Sequence, residues 1–462
     1  MFQPDIEIIA HTPNPEKVCT AAVKQTYKKM HAKELIKNTS EEEVEKLLTN
    51  IAKLGHFSTL EHACFTIAFK DVSVLFEQFL IEHRLASYSA KSRRYVDFSE
   101  AGFVIPDYFE DKPEMEEKYR KCMLYLFNSY KNLLELGIAK EDARFVLPYS
   151  FKSSIIATMN LRELIHFLYN SIYGHGKEFS EIRKVGGMLL NKMKKLCPTV
   201  LRYFDILEHK GNASILASTY ESSKSEGVEL LWHTPSPDKS IAIAALIKST
   251  NLPTALLKDI KQEEMERIIQ SVVRSRRPRE LEQVNFTFRI NNVTLAILTH
   301  ITRHRIHSPL IPSLASIEKS SSYVIPKGIK ENKEALKIYR EAFDRCMEFY
   351  RYLKSKNVPK DILAYALQSG NFITIITTMN ARELYHFFRL RTCLRAQKEV
   401  RNIANNMLYL VRNVAPLTFK NAGPSCYFYG YCTEGKMKCN RFKEVVEHYK
   451  AWHLSPTKIP GL

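Results

Sequence analysis

The chain is 462 residues long, more than one ordinary domain needs, and its 45% hydrophobic and 26% charged composition is that of a folded globular protein, not a disordered one. No apolar run reaches the roughly 18 residues of a membrane-spanning helix. Residues 1–15, with Asp5, Glu7 and the prolines Pro4, Pro13 and Pro15, do not read as a signal peptide, so a cytoplasmic protein with no membrane partner is expected. Sixty-eight Lys and Arg against 50 Asp and Glu leave +18, which favours anionic partners such as nucleotides, nucleic acid or acidic lipid; a merely basic, soluble surface is the competing reading.

In chain order, Phe65, Ile67 and Phe69 alternate with smaller residues and predict a half-buried strand. An apolar, helix-like run follows into His83-Arg84. Residues 112–137 predict a long amphipathic helix, and 158–170 a further one. Residues 210–227, with Gly211, Asn212, Ser214, Ser218, Ser222, Ser223, Ser225 and Gly227, have the composition of a linker. The pattern then restarts. Val284, Phe286, Phe288 and Ile290 alternate as a strand, an apolar run leads into His304-Arg305, and helices are predicted over 332–356 and within 377–414.

The restart is a tandem repeat. His11-Thr12-Pro13 returns as His233-Thr234-Pro235, Leu60-Glu61 as Leu281-Glu282, His83-Arg84 as His304-Arg305, and Thr158-Met159-Asn160 as Thr378-Met379-Asn380. A spacing near 220 is far longer than a solenoid repeat, so each unit is a whole domain. The expected organisation is α+β: a first domain at 1–212, a linker at 213–225 and a homologous second domain at 226–462.

No glycine-rich phosphate loop is present, so phosphate would be held by Arg, Lys, Ser and helix N-termini. Three stretches offer such groups. The first runs from Glu82 through His83, Arg84, Ser87, Ser89, Ser92, Arg93 and Arg94 to Tyr95, and combines cations, hydroxyls and aromatic faces suited to a nucleoside monophosphate; a solvated basic loop is the alternative. The second, Arg303-His304-Arg305, suits a pyrophosphate or a flavin edge as well as it suits a basic helix end. In the third, Arg382, His386 and Arg389 share one helix face, with Arg391, Arg395 and Glu399 beyond. His166 and His386 hold matching places in the repeated helix; a hydrogen-bonded helix histidine is the plainer reading, a flavin contact the sharper one.

On these motifs the chain resembles, twice over, the flavin-dependent thymidylate synthases. Their pattern is Arg-His-Arg, then a serine and Ser-x-Arg-Tyr, then a helix reading Asn-x-Arg, Leu-Arg and Ala-Gln with Glu. The resemblance implies an α+β fold with a small, mostly antiparallel sheet and long helices in each half. It implies FAD as cofactor, NADPH and methylenetetrahydrofolate as co-substrates, and methylation of dUMP at C5. It also implies a homodimer of fused chains imitating the family tetramer, with nucleic acid not the expected partner. Carried over by position, the substrate loop matches Ser92, Arg93, Arg94 and Tyr95, and a second substrate arginine matches Arg144; Ala315 and Ala364 stand at the corresponding places of Arg94 and Arg144 in the second half. The arginine that activates the uracil matches Arg391, where the first half has Ser171. The flavin set matches Arg303, His304, Arg305, Asn380, Arg382 and His386, with His83, Arg84, Asn160 and Arg162 in the first half. Each half keeps what the other lost, which implies a division of labour and about one dUMP per chain. Phe79 and Glu82 depart from the pattern and keep open a different pyrimidine nucleotide; a retired catalyst that binds nucleotide or RNA is the third reading.

Nine cysteines do not make a secreted disulfide scaffold. Cys426, Cys432 and Cys439 follow no standard zinc spacing, yet with His448 or His453 they would suffice for a zinc site; buried or surface thiols are the plainer reading. Cysteine tails of this kind occur in part of the family that the chain resembles.

Overall fold

The computed structural model describes residues 2–202, 204, 227–250 and 260–454, with side chains to residue 452. The expected linker at 213–225 lies outside the described residues, as does the side chain of His453.

Each repeat builds one four-stranded antiparallel sheet. In the first, β1 (Asp5–His11), β2 (Cys64–Ser73), β3 (Ala86–Ala90) and β4 (Lys152–Asn160) are ordered β1-β2-β4-β3. In the second, β5 (Val228–His233), β6 (Asn285–Thr294), β7 (His307–Leu310) and β8 (Phe372–Asn380) are ordered β5-β6-β8-β7. The expected strands around Phe65 and Phe286 are β2 and β6. Their inward residues Phe65, Ile67, Phe69 and Phe286, Phe288, Ile290 are almost fully buried, as period-two patterning requires. The repeat extends to single contacts. Thr66 and Thr158 pair their hydroxyls across β2–β4 at 3.0 Å, and Thr287 and Thr378 do so across β6–β8 at 2.9 Å. Asp71 and Asn292 take the same left-handed backbone at the same bulge, as do Asn14 and Ser236 before the first helix of each repeat.

Two expectations need correction. Thr158-Met159-Asn160 and Thr377–Asn380 are not helical; they end strands β4 and β8. These central strands escaped the periodicity because β4 carries apolar Ile156 on its outward face, which blurs the alternation. The helices start one residue later, at Leu161–Ile172 and Ala381–Arg391. The asparagine side chains cap them: Asn160 Oδ1 accepts from Glu163 N and Asn380 Oδ1 from Glu383 N, each at 2.9 Å.

The chain divides into two compact units that do not follow the repeat. One comprises Met1–Glu221 and Ser313–Asn371, the other Ser222–Pro312 and Phe372–Leu462. The reason lies within the first unit, where segment 313–371 packs on its own repeat mate. Pro148 bridges Gln368, its counterpart, in antiparallel fashion, flanked by Tyr149 N to Leu367 O at 2.7 Å and Ser369 N to Leu147 O at 2.9 Å. The matched helices Pro113–Glu135 and Lys333–Ser355 cross antiparallel, with Tyr119 against Phe349 and the Arg345 guanidinium 4.1 Å from the Tyr125 ring centre. Like residues meeting like residues is the mark of a two-fold contact, here closed inside one chain.

Candidate active site

In the second unit, the short helix Leu298–Thr302 delivers Arg303-His304-Arg305, and the backbone turns so that His304 is buried while both arginines face outward. His304 is gripped on both ring nitrogens. Its Nδ1 donates to Glu383 Oε1 at 2.9 Å, and its Nε2 accepts from Arg391 Nε at 3.0 Å. An acceptor at Nε2 puts the proton on Nδ1, so the ring is neutral. Burial, then the Arg391 and His386 charges, hold its pKa well below the usual histidine value. Burial also pushes the Glu383 carboxyl up to about 7. The result is a string, Glu383–His304–Arg391, that fixes the plane of the Arg391 guanidinium. His386 lies one turn on, its ring centre 5.3 Å from that of His304. His304, Glu383 and His386 bring three ligand atoms within 4.8 Å, but both His304 nitrogens are engaged and Arg391 adds a cation, which disfavours a metal there.

The first unit repeats this geometry without the charge. His83 is buried, and its Nε2 accepts from Asn170 Nδ2 at 3.2 Å; the same amide reaches His166 Nε2 at 3.0 Å. A neutral amide thus does at His83 what a guanidinium does at His304. Ser171, the positional match of Arg391, is fully buried and donates to Phe167 O at 2.7 Å. Gly186 packs so tightly on it that a Cβ there would meet Ser171 Cβ at 2.6 Å, leaving no room for a long side chain. Phe79 fills the remaining space against His83, Phe167 and His175. Glu82, half-buried, has its carboxyl pushed up to about 7 by burial, so it is a weaker anion than its position suggests.

The substrate-loop residues fall in the first unit. Ser92 and Tyr95 are exposed. Arg94 Nε donates to Glu141 Oε2 at 2.7 Å, and Arg144 Nε to Glu141 O at 3.3 Å, so both arginines converge on one residue. An arriving phosphate would have to displace the Glu141 carboxylate from Arg94. Arg93, grouped with the substrate loop on sequence, is instead buried and paired with buried Glu77 at 2.7 Å, its guanidinium over Phe151. It holds the loop down from below. Arg84, like Arg303 and Arg305, faces outward. Arg162 pairs with Glu61 at 2.6 Å and Arg382 pairs with Glu282, another contact that the repeat preserves.

A cavity of about 1010 Å³ lies along the face of Ala381–Arg391 opposite the buried His304. Arg382 and Arg389 form one wall with Tyr385; Arg274, Arg276, Lys420 and Lys450 add charge, and Tyr427, Phe428 and Tyr429 add aromatic faces. Arg389 donates to the Tyr429 hydroxyl and lies over the Phe428 ring at 5.3 Å.

The profile of the family described as "Thymidylate synthase complementing protein" matches residues 7–199 and again 229–417. The chain belongs to that family, twice over. The flavin-dependent thymidylate synthase of Geobacter sulfurreducens is 33% identical over 222 residues, covering 47% of this chain and 95% of that protein. The enzyme of the same name from Pyrococcus furiosus is 37% identical over 194 residues, covering 41% and 79%. Each relative therefore answers to about one repeat. A crystal structure of the UMP/dUMP methylase PolB from Streptomyces cacaoi bound with 5-Br dUMP aligns with TM-score 0.39 at 24% identity, over 45% of this chain and 97% of that one; so low a score adds nothing to the argument.

Within this thymidylate synthase-family enzyme, sequence reasoning missed three groups that shape the candidate site. Glu383 was legible only as the repeat counterpart of Glu163, with no role assigned, yet its carboxylate accepts from His304. Asn170 stands one residue before the matched position and escaped attention for that reason. The aromatic wall Tyr427–Tyr429 lies beyond the stretch that the family profile matches, so only the fold brings it to Arg389.

Proposed function

We propose that the protein methylates dUMP at C5 to give dTMP, with FAD as cofactor, methylenetetrahydrofolate as methylene donor and NADPH as source of hydride. The methylene and one hydride make the methyl group that replaces the C5 proton; a proton equivalent to that one and a second from solvent go to the two folate nitrogens set free, and tetrahydrofolate and NADP⁺ leave. The observation that carries this reading is the contrast between Arg391, held by His304 and Glu383, and Ser171, sealed in the packing of the first repeat. The halves have diverged in charge at the two places where the relatives' chemistry needs charge, and in opposite senses.

The cavity beside Arg382 and Arg389 fits a large anionic cofactor with a flat ring system, because cations and aromatic faces alternate around it. When bound, a flavin would supply the hydride-transfer chemistry that no side chain can. The protein's own part is binding and polarisation. Arg94, Arg144 and Ser92 hold the phosphate. Arg391 neutralises the negative charge that builds on the uracil as C5 becomes nucleophilic, and its tether to His304 means that it need not reorganise as the charge forms. No cysteine nucleophile is required. Phe79 and Glu82, the departures that raised a different nucleotide, lie beside His83 and His175 in the first repeat, and competition between dUMP and other pyrimidine nucleotides decides that reading.

The test is the visible spectrum of the protein with FAD, before and after dUMP. A bound flavin whose bands shift with dUMP, and less with UMP or dCMP, is expected. A flavin indifferent to dUMP would overturn the substrate; no retained flavin would overturn the reading as a whole.

A further inference from the structure

All four cysteines of the second unit gather in one place. Cys393 follows Arg391 in the loop after Ala381–Arg391; Cys426 lies in the short helix Ser425–Tyr429, and Cys432 and Cys439 in the turn-rich stretch beyond it. Cys393 and Cys426 each lie in the electrostatic field of the other three thiols or of most of them. The backbone around them is pinned at two points: Ser425 Oγ donates to Arg389 O at 3.3 Å, and Tyr449 OH to Thr392 O at 3.3 Å. None of the four is in a disulfide.

The first repeat has no counterpart. Its residue at the place of Cys393 is Tyr173, and Cys426, Cys432 and Cys439 lie beyond the 229–417 stretch that the family profile matches. Cys393, from a distant part of the chain, is a candidate for the fourth ligand sought on sequence at His448 or His453.

We propose that Cys393, Cys426, Cys432 and Cys439 bind one zinc ion, which clamps the C-terminal tail onto the end of the helix that carries Arg391. Four thiolates in a tetrahedron are the donor set of a structural zinc site, closed to substrate. Binding releases up to four thiol protons and leaves a net charge of −2, which Arg395, Lys438 and Arg441, all within two residues of a ligand, offset. The thiols stand looser than bound sulfurs would: among the described residues, the three ligand atoms that lie within 4.8 Å of one another are those of His304, Glu383 and His386. The ion would draw the sulfurs together. The clamp has a consequence for the cavity, because Tyr427, Phe428 and Tyr429 form its wall and belong to the clamped segment.

Elemental analysis of the full-length protein, purified with zinc supplied and without chelator, tests this independently of any activity. About one zinc per chain is expected, falling to near zero in Cys393→Ser and unchanged in Cys64→Ser, a cysteine of the other unit. Should Cys393→Ser fail to fold, cobalt exchange into the unaltered protein gives a second reading: intense visible bands with sulfur-to-metal charge transfer mark a tetrahedral thiolate site. Absence of zinc from the folded protein, iron with brown colour in its place, zinc retained by folded Cys393→Ser, or disulfides joining these four residues would each overturn the proposal.

Discussion

At the scale of single residues, the two buried histidines share a frame and differ in the charge of the group that holds them. His83 and His304 are both buried and neutral, but one accepts from an amide and the other from a guanidinium. If Arg391 stabilises charge only as the reaction proceeds, Arg391→Gln should lower kcat by about 100-fold or more while dUMP binding changes far less. Ser171→Ala should leave kcat unchanged. Steady-state kinetics on the two variants decides; equal losses would mean that both repeats carry active sites. The pH dependence of stability belongs here too. Burial, then the His166 charge, lowers the His83 pKa to about 4 from the ordinary 6.5. Below pH 6.5 the unfolded chain takes up a proton that the native ring refuses. The stabilisation is complete above pH 6.5 and is lost as pH falls towards 4, by roughly 3 kcal/mol. Glu82 acts in the opposite sense: its pKa is raised to about 7, so its contribution is present below pH 4.5 and is lost as pH rises through 7. Melting temperatures of native protein and His83→Gln between pH 7 and 4 should converge as the pH falls, because the variant lacks the refused proton.

At the scale of elements, the first unit is held by repeat mates packed on one another. The close point is Gly370, whose N donates to Phe145 O at 2.9 Å. A Cβ there would lie 2.9 Å from Phe343 Cζ and 3.0 Å from Phe145 Cβ. Gly370→Ala should therefore destabilise by about 1–3 kcal/mol. Gly187→Ala, in the helix Ser180–Leu196 with nothing within 4 Å of the new methyl, should stabilise by up to about 1 kcal/mol. Thermal denaturation of both variants checks this; a neutral Gly370→Ala would mean that the contact between mates is loose. The elements also show where sequence reading stops. The long helices 113–135 and 333–355 were legible because a 3.6-residue period survives over more than five turns. Strands β4 and β8 were not, because apolar residues occupy both faces.

At the scale of the whole molecule, the duplicated chain keeps a two-fold contact that separate subunits would have to find by collision. If the substrate loop of one repeat and Arg391 of the other serve a single nucleotide in the assembled protein, calorimetric titration should give about one dUMP per chain; two equal sites would refute the division of labour. A homodimer is the assembly expected of two such fused chains, and light scattering at twice the chain mass checks it.

The residues alone determined the duplication, the family, the two strands of clean alternation and the complementary losses of Arg391 and Arg94, because each is written in local order or in a spacing near 220. They also exposed three of the four tail cysteines. Tertiary structure decided what depends on distance through space. It tied Arg391 to His304 and Glu383, sealed Ser171 under Gly186, turned Arg93 inward onto Glu77, and pinned the loop that carries Cys393 to Tyr449 of the tail. It also moved segment 313–371 from the repeat that encodes it to the unit that buries it. Periodicity reports which face of an element is apolar. It does not say which other element will cover that face, and in a repeat protein the nearest match in chemistry need not be the nearest in sequence.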